Sequence, residues 1–405
     1  MRKKTLHAEL KNNHCTLFYH LQLFFANGGD TCYIMSVGDY NSQFPDNDTL
    51  NHTILPALAQ VPEITLLVMP EAAELPDRYA DLYKSMLSHC AANNRFAILD
   101  VPRGVEIEAF RAQIGGEFLS YGAAYYPWLE TEILSYTDIT GEMICFDKNL
   151  ILDVIAHTNR FPPLSQYIER VFKELDETTS ELTKMAKREG IHKTLLQNLP
   201  EYELLTKKIQ KWLSLLPPSA TVAGTYTRVD HTHGVWKAPA NVALSMINKP
   251  IKDIRDYEQE ALNLPMDGKV INVIRAFPGD GTKVWGARTL DGNSQDWRYV
   301  NVRRTVSFLE NLIRRIANTY VFEPNNADTW SHMKDLIEGI LFRLWQHGGL
   351  AGFEPEEAYE VHVGVNDTMT PEDIQAGIIR ISVQVAISRP ADFFEISFPL
   401  QMQKR

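Results

Sequence analysis

Along the first third of this chain, short continuous apolar runs alternate with longer amphipathic stretches. Leu17, Phe18, Leu21, Leu23 and Phe24 make a strongly apolar helix over about Asn13–Asn27, stopped by Gly28-Gly29. A short strand is expected at Cys32–Val37, then a helix near Thr49–Leu58, a strand at Thr65–Met69 and a long helix at Asp77–Asn93. The strand Phe96–Asp100, the helix Glu106–Ile114 and the strand Ala123–Trp128 complete the series. Strands without a polar side, separated by helices, predict a mainly parallel sheet covered on both faces. Residues 1–147 therefore read as an α/β unit.

The pattern then changes. Leu164–Leu216 is rich in Glu, Lys and Leu, broken by Pro200 and closed by Pro217-Pro218. It predicts two or three amphipathic helices in a surface lobe, with residues 148–220 as an insertion. Residues 221–405 read as an α+β unit whose opening shows little β propensity. Lys269–Ala276 and Thr282–Thr289 flank Pro278-Gly279-Asp280-Gly281, a hairpin signal. Helices follow at Val302–Tyr320 and Asp328–His347, the second started by Asp328 or Thr329 and ended by Gly348-Gly349. Strands are expected again at Tyr359–Val365, Gly377–Ser388 and Phe393–Phe398. In the last, Phe394, Ile396 and Phe398 alternate with Phe393, Glu395 and Ser397, giving one apolar side near the chain end. Such a strand either closes its own sheet or pairs with the edge of another copy.

Within Val302–Tyr320, the residues Val302, Val306, Leu309, Ile313, Ile316 and Tyr320 form a core stripe. Arg303-Arg304 and Arg314-Arg315 stand eleven residues apart, which at about 100° per residue is nearly the same azimuth, roughly 16 Å along the axis. Lys334 and Arg343 project from the polar side of the next helix. The four arginines read either as a solvated face paired with local acids such as Glu310 and Glu323, or as a basic strip that docks on an acidic partner, while the next helix by itself reads as an ordinary packed helix.

Composition narrows the function. The 405 residues carry a formal charge of −11, which opposes binding along nucleic-acid phosphates. The 44% hydrophobic content is that of a folded protein. Four scattered cysteines form no CxxC pair, and no apolar run is long enough to enter a membrane as a helix. The basic start, MRKKTLHAELKNNH, lacks the apolar core and cleavage site of a signal peptide, so synthesis and folding in the cytoplasm are expected. Asp230-His231-Thr232-His233 has no placeable third metal ligand and reads as a surface turn. Asp291–Asp296 lacks the closing glutamate of a calcium loop. Gly279–Lys283 resembles a phosphate loop without its spacing or following helix. No catalytic, cofactor or metal residues are nominated. A nucleotide- or metal-dependent enzyme on the α/β unit is the alternative reading.

Several longer stretches resemble the sheath proteins of contractile phage tails, closest to those of extracellular, toxin-delivering particles. They are LKNNHCTLFYHLQLFFANGGDTCYIMSVGDY (10–40), GVWKAPAN (234–241), Ile271–Val302, VRRTVSFLENLIRRIANTYVFEPNNADTW (302–330), LWQHGGLAG (344–352) and RPADFFEISF (389–398). Their shared order makes the match specific. The resemblance implies a non-enzymatic subunit, part of a phage tail or released phage-like particle. Its copies stack as hexameric rings around an inner tube and contract to drive that tube through a target envelope. Implied partners are other copies, the inner tube protein, and baseplate and terminator or cap proteins. Arg303, Arg304, Arg314, Arg315, Lys334 and Arg343 become inner-tube contact candidates. Phe393, Phe394, Glu395, Ile396, Ser397 and Phe398 become an intersubunit arm near 390–405 that joins an adjacent copy by strand exchange. The family pattern also has a strand-forming arm ahead of the segment resembling Leu10 onwards, which is missing here.

Overall fold

The computed structural model describes residues 9–10, 16–38, 44–145, 151–152, 155, 162–263 and 265–390. It is a mixed helix and sheet protein built on one six-stranded sheet. The strands are β1 (Leu66–Val68), β2 (Phe96–Asp100), β3 (Gly122–Tyr126), β4 (Val242–Ala243), β5 (Ile271–Phe277) and β6 (Gly281–Val284). Their order is β1-β2-β3-β5-β6-β4. The first four in that order run parallel, while β6 pairs antiparallel with both β5 and β4.

Alternation along the strands explains the two layers. In β2 every residue is buried. Ala97 and Leu99 face a cluster with Tyr79, Leu82, Tyr83, Met86 and Leu87, while Phe96 and Ile98 face Val222, Ala223 and Tyr226. A strand buried on both sides has no solvent-facing positions, which is why it reads as one apolar run up to its last residue, Asp100.

Five helices cover this sheet or carry the charged candidates: α1 (Leu17–Ala26), α2 (Tyr79–Ala92), α3 (Ser219–His233), α4 (Val300–Thr319) and α5 (Ala327–Gln346). Helix α2 covers the first face of the sheet and α3 the second. Helix α1 lies on α3 so closely that a Cβ on Gly224 would sit 2.2 Å from the Phe24 carbonyl oxygen. Any larger residue there must force the helices apart.

Three helices, Pro162–Glu177, Glu181–Asn198 and Pro200–Leu213, form the expected lobe around their own core of Ile168, Phe172, Ile191, Leu195, Tyr202 and Ile209. Helices α4 and α5 share a further core of Leu309, Ile316, Met333, Ile337, Leu341 and Leu344, closed by the ribbon Tyr359–His362 with Ser382–Val385.

Three expectations need correction. The strand expected at Cys32–Val37 is exposed chain without a ladder, because β propensity acts only where an edge pairs with it. The opening of the third unit, to which the sequence assigned no element beyond its low β propensity, is the helix α3, whose Thr and Val residues are held by burial against the sheet. A helix cap and a boundary differ as well. Helix α5 is capped by Asn326, whose Oδ1 accepts from the Thr329 amide at 3.1 Å, not by Asp328 or Thr329. The main sheet crosses the boundary drawn between residues 220 and 221: β5 pairs with β3 in parallel, Ile271 opposite Ala124. A parallel pair needs a long crossover, and here the lobe and α3 lie within it. Phe393–Phe398 lies outside the described residues.

Candidate functional site: the arginine-bearing helix and its surroundings

Helix α4 begins against the main sheet and ends against α5, so its two arginine pairs meet different surroundings. Val300 packs with the sheet cluster, whereas Leu309 and Ile316 belong to the α4–α5 core. The first pair is internal. Arg304 is 7% exposed and makes a two-pronged ion pair with Asp230 at the end of α3, Nη1 donating to Oδ1 at 3.0 Å and Nη2 to Oδ2. Its guanidinium lies 4.9 Å from the centre of the Tyr226 ring. The Tyr226 hydroxyl shares a 2.6 Å hydrogen bond with that of Tyr125 on β3. Burial disfavours the Arg304 charge, but Asp230 more than offsets it and raises the pKa above the ordinary arginine value. Burial also raises both tyrosine pKa values, keeping the hydroxyls neutral. A forked cation on a forked anion thus ties α4 to α3 and the sheet.

Arg303, 4% exposed, is held by faces rather than forks. Its guanidinium lies 4.6 Å from the Tyr121 ring centre and 4.2 Å from that of Trp297. Glu310 approaches to 3.6 Å. A flat, delocalised cation suits two aromatic faces in a way a lysine does not.

The second pair is outside. Arg314 and Arg315 are exposed and form no ion pair among the described residues, and the same holds for Arg343 on α5. Lys334 is half-buried and lies 3.7 Å from Glu338 one turn on. Lys334 and Arg343 are nine residues apart, about 180° around the helix, so they flank the core stripe on different sides. The expected strip of four arginines is therefore corrected in its first half, since Arg303 and Arg304 are inside; Lys334 and Arg343, the candidates on α5, do not share a face. Periodicity fixes azimuth along a rod, but burial depends on what covers each half of it.

Asp230 was missed as a functional partner. The turn expected at Asp230–His233 is the last part of α3, with both histidines exposed. On a helix, residues two apart point about 200° away from each other, so His231 and His233 cannot share a metal. Among the described residues no group of three or more His, Cys, Asp or Glu is placed to hold a metal. Buried acids do occur near the sheet: burial pushes Asp100 up to about 8 and Glu74 up to about 7. Asp100 has a structural task, its Oδ1 accepting from the Ser219 amide at 2.7 Å and so capping α3 from a neighbouring strand.

The stretches that carried the resemblance converge beside α4. Asn301 Nδ2 donates to the Trp236 carbonyl at 2.9 Å and to the Ser388 carbonyl at 3.2 Å. Trp236, Leu344 and Leu350 lie together in the α4–α5 core. Polar groups at the heart of this region tie segments to one another.

Comparison with known proteins covers these same segments. Residues 293–399 match the phage tail sheath C-terminal domain. A prophage major tail sheath protein of Pseudomonas aeruginosa (strain UCBPP-PA14) is 28% identical over 144 residues, 34% of this chain and 36% of that protein. The tail sheath protein of Vibrio phage KVP40 is 25% identical over 187 residues, 45% of this chain and 26% of that protein. Those matches thus span little more than a third of each curated relative at most. Among solved structures, a chain of the anti-feeding prophage baseplate aligns over 96% of this chain and 81% of its own, with 29% identity and a TM-score of 0.65. The contracted PVC sheath complex, from an extracellular contractile injection system, aligns over 95% and 80%, with 29% identity and a TM-score of 0.64. Over nearly its whole described length the chain is thus similar to contractile tail sheath proteins, and its residues 293–399 match their C-terminal domain.

Proposed function

We propose that this chain is a non-enzymatic subunit of a contractile sheath, polymerising with copies of itself around an inner tube and shortening to drive that tube through a target envelope. The observation that carries this reading is the likeness to a sheath complex over 95% of the chain. In this reading the particle also supplies a baseplate and a terminator. The main sheet with its lobe forms one part of the subunit, and α4, α5 and the ribbon beyond them form the part nearest the tube.

The tube-facing grip is then Arg314 and Arg315 on α4, with Arg343 on α5 as a further exposed cation. Exposed ion pairs are individually weak, at about 0–1 kcal/mol each, which suits a contact that must let go along its whole length. The ribbon Tyr359–His362 with Ser382–Val385 has two strands among the described residues, fewer than an independently stable sheet uses. Strands added from another copy would complete it, and the alternating Phe393–Phe398 has the pattern of such an arm. Electron microscopy of the purified chain tests the function: rings or tubes are expected, and a strictly monomeric protein at high concentration overturns it. Deleting residues after Pro390 tests the arm; assembly should fail while the melting profile holds, whereas global unfolding would make that strand internal.

A further inference from the structure

A concavity of about 330 Å³, lined by Gln295, Arg298, Tyr299, Arg389 and Pro390, opens beside the loop that leads into α4. Its charge is unusual for this chain. Arg298 Nε is buried and has no hydrogen-bond partner among the described residues. Arg389 lies 3.2 Å from Asp296, but both side chains are mostly exposed, at 54% and 77%, so that pair is readily exchanged. Behind the same loop, Arg303 stacks on Trp297 at 4.2 Å and Arg288 lies 5.8 Å from the Tyr299 ring centre. Three guanidiniums, those of Arg288, Arg303 and Arg389, thus lie against residues 295–299, which carry a fourth in Arg298, in a chain whose net charge is −11.

We propose that this concavity is an oxyanion site and that its occupant is a side-chain carboxylate of a second copy of this chain. A buried donor without an acceptor is costly, and a carboxylate presents several lone pairs to guanidiniums placed on two sides of it. The volume holds a carboxylate together with its stem, and the Gln295 carboxamide can donate to the same anion. A copy carrying 51 Asp and Glu against 40 Lys and Arg offers acids in excess. Arg298 stands on the loop into α4, and Arg389 lies just ahead of the last fifteen residues. A bound carboxylate therefore ties a neighbouring copy to the root of that segment. This inference rests on the sheath reading for its occupant, not for its chemistry.

The test uses the full chain, Arg298→Gln, the double variant Arg298→Gln/Arg389→Gln, and Lys208→Gln on the exposed side of the lobe as an off-site control, each checked for an unchanged melting profile. Inorganic phosphate at matched ionic strength is titrated into dilute, unassembled protein by calorimetry. Saturable binding is expected in the wild type and the control, and its loss in Arg298→Gln. Sedimentation then measures the concentration at which copies associate. That threshold should rise by about tenfold in the double variant, and phosphate should raise it in the wild type but not in the double variant. Phosphate bound equally by Arg298→Gln overturns the site. An unchanged threshold in the double variant, with phosphate binding lost, removes the second copy as occupant. A wild type that never associates sinks the sheath reading and the occupant together, while the phosphate titration still decides the oxyanion site.

Discussion

The two halves of α4 carry the same dipeptide, Arg-Arg, at nearly the same azimuth, yet they serve opposite ends. Arg303 and Arg304 lie where the helix enters the body of the molecule, and each is matched there by a purpose-built partner, two aromatic faces for one and Asp230 for the other. Arg314 and Arg315 lie where the helix has left the main sheet for the α4–α5 core, and they remain in water. Buried cations specify how segments of one chain meet; exposed cations are free to meet another molecule. The first pair should therefore govern stability and the second should not.

The sharpest way to break that contrast is to remove the buried fork. Arg304→Met leaves Asp230 without its cation, and chemical denaturation should register a loss of about 3 kcal/mol. Most of it should return in Arg304→Met/Asp230→Asn, because the cost lies in the orphaned carboxylate. A double variant no more stable than the single would show that the pair does not act as a unit. Arg303→Leu keeps the packing volume but forfeits both aromatic faces, and should cost about 2 kcal/mol in the same assay.

Asp100 extends the comparison to a buried acid with no cation opposite. Its pKa is raised, mainly by burial, from 3.8 to about 8, and the Glu71 carboxylate adds to the rise. The folded state therefore holds a proton that the unfolded chain releases above about pH 4. The resulting stability is fully present below that value and is lost as pH rises from about 4 through about 8. Asp100→Asn keeps an acceptor for the Ser219 amide and cannot ionise. Its stability should fall less than that of the parent between pH 5 and pH 8 in parallel urea titrations. Parallel profiles would mean that Asp100 is ionised throughout. At the small end, Arg314→Ser/Arg315→Ser should change stability by less than about 0.5 kcal/mol while weakening attachment to purified inner tube in a pull-down. A large stability loss would place this pair with the first.

How far these contrasts were legible in the sequence varies by element. The apolar runs at Phe96–Asp100 and the hairpin around Pro278–Gly281 carry their own local signals, and both elements lie where the pattern put them. The three lobe helices are equally local, since each buries one stripe against the others. Helix α3 was missed because Thr221, Thr225 and Thr227 do not look helical, and only the sheet beneath them stabilises that conformation. The ion pair of Asp230 with Arg304 joins positions 74 residues apart, and no spacing rule connects them. The Arg298–Arg389 concavity has the same origin, because its two sides come from distant segments.

The sequence by itself determined the local elements, the azimuth of the arginines on α4 and, through the order of its longer stretches, the likeness to tail sheath proteins. Each follows from periodicity and turn chemistry, which act over a few residues. The tertiary structure alone decided which cations are buried, that β5 joins β3 across the lobe, and which acid meets which arginine. Those outcomes depend on the position of remote segments, and burial and charge pairing are properties of the neighbourhood a residue comes to occupy.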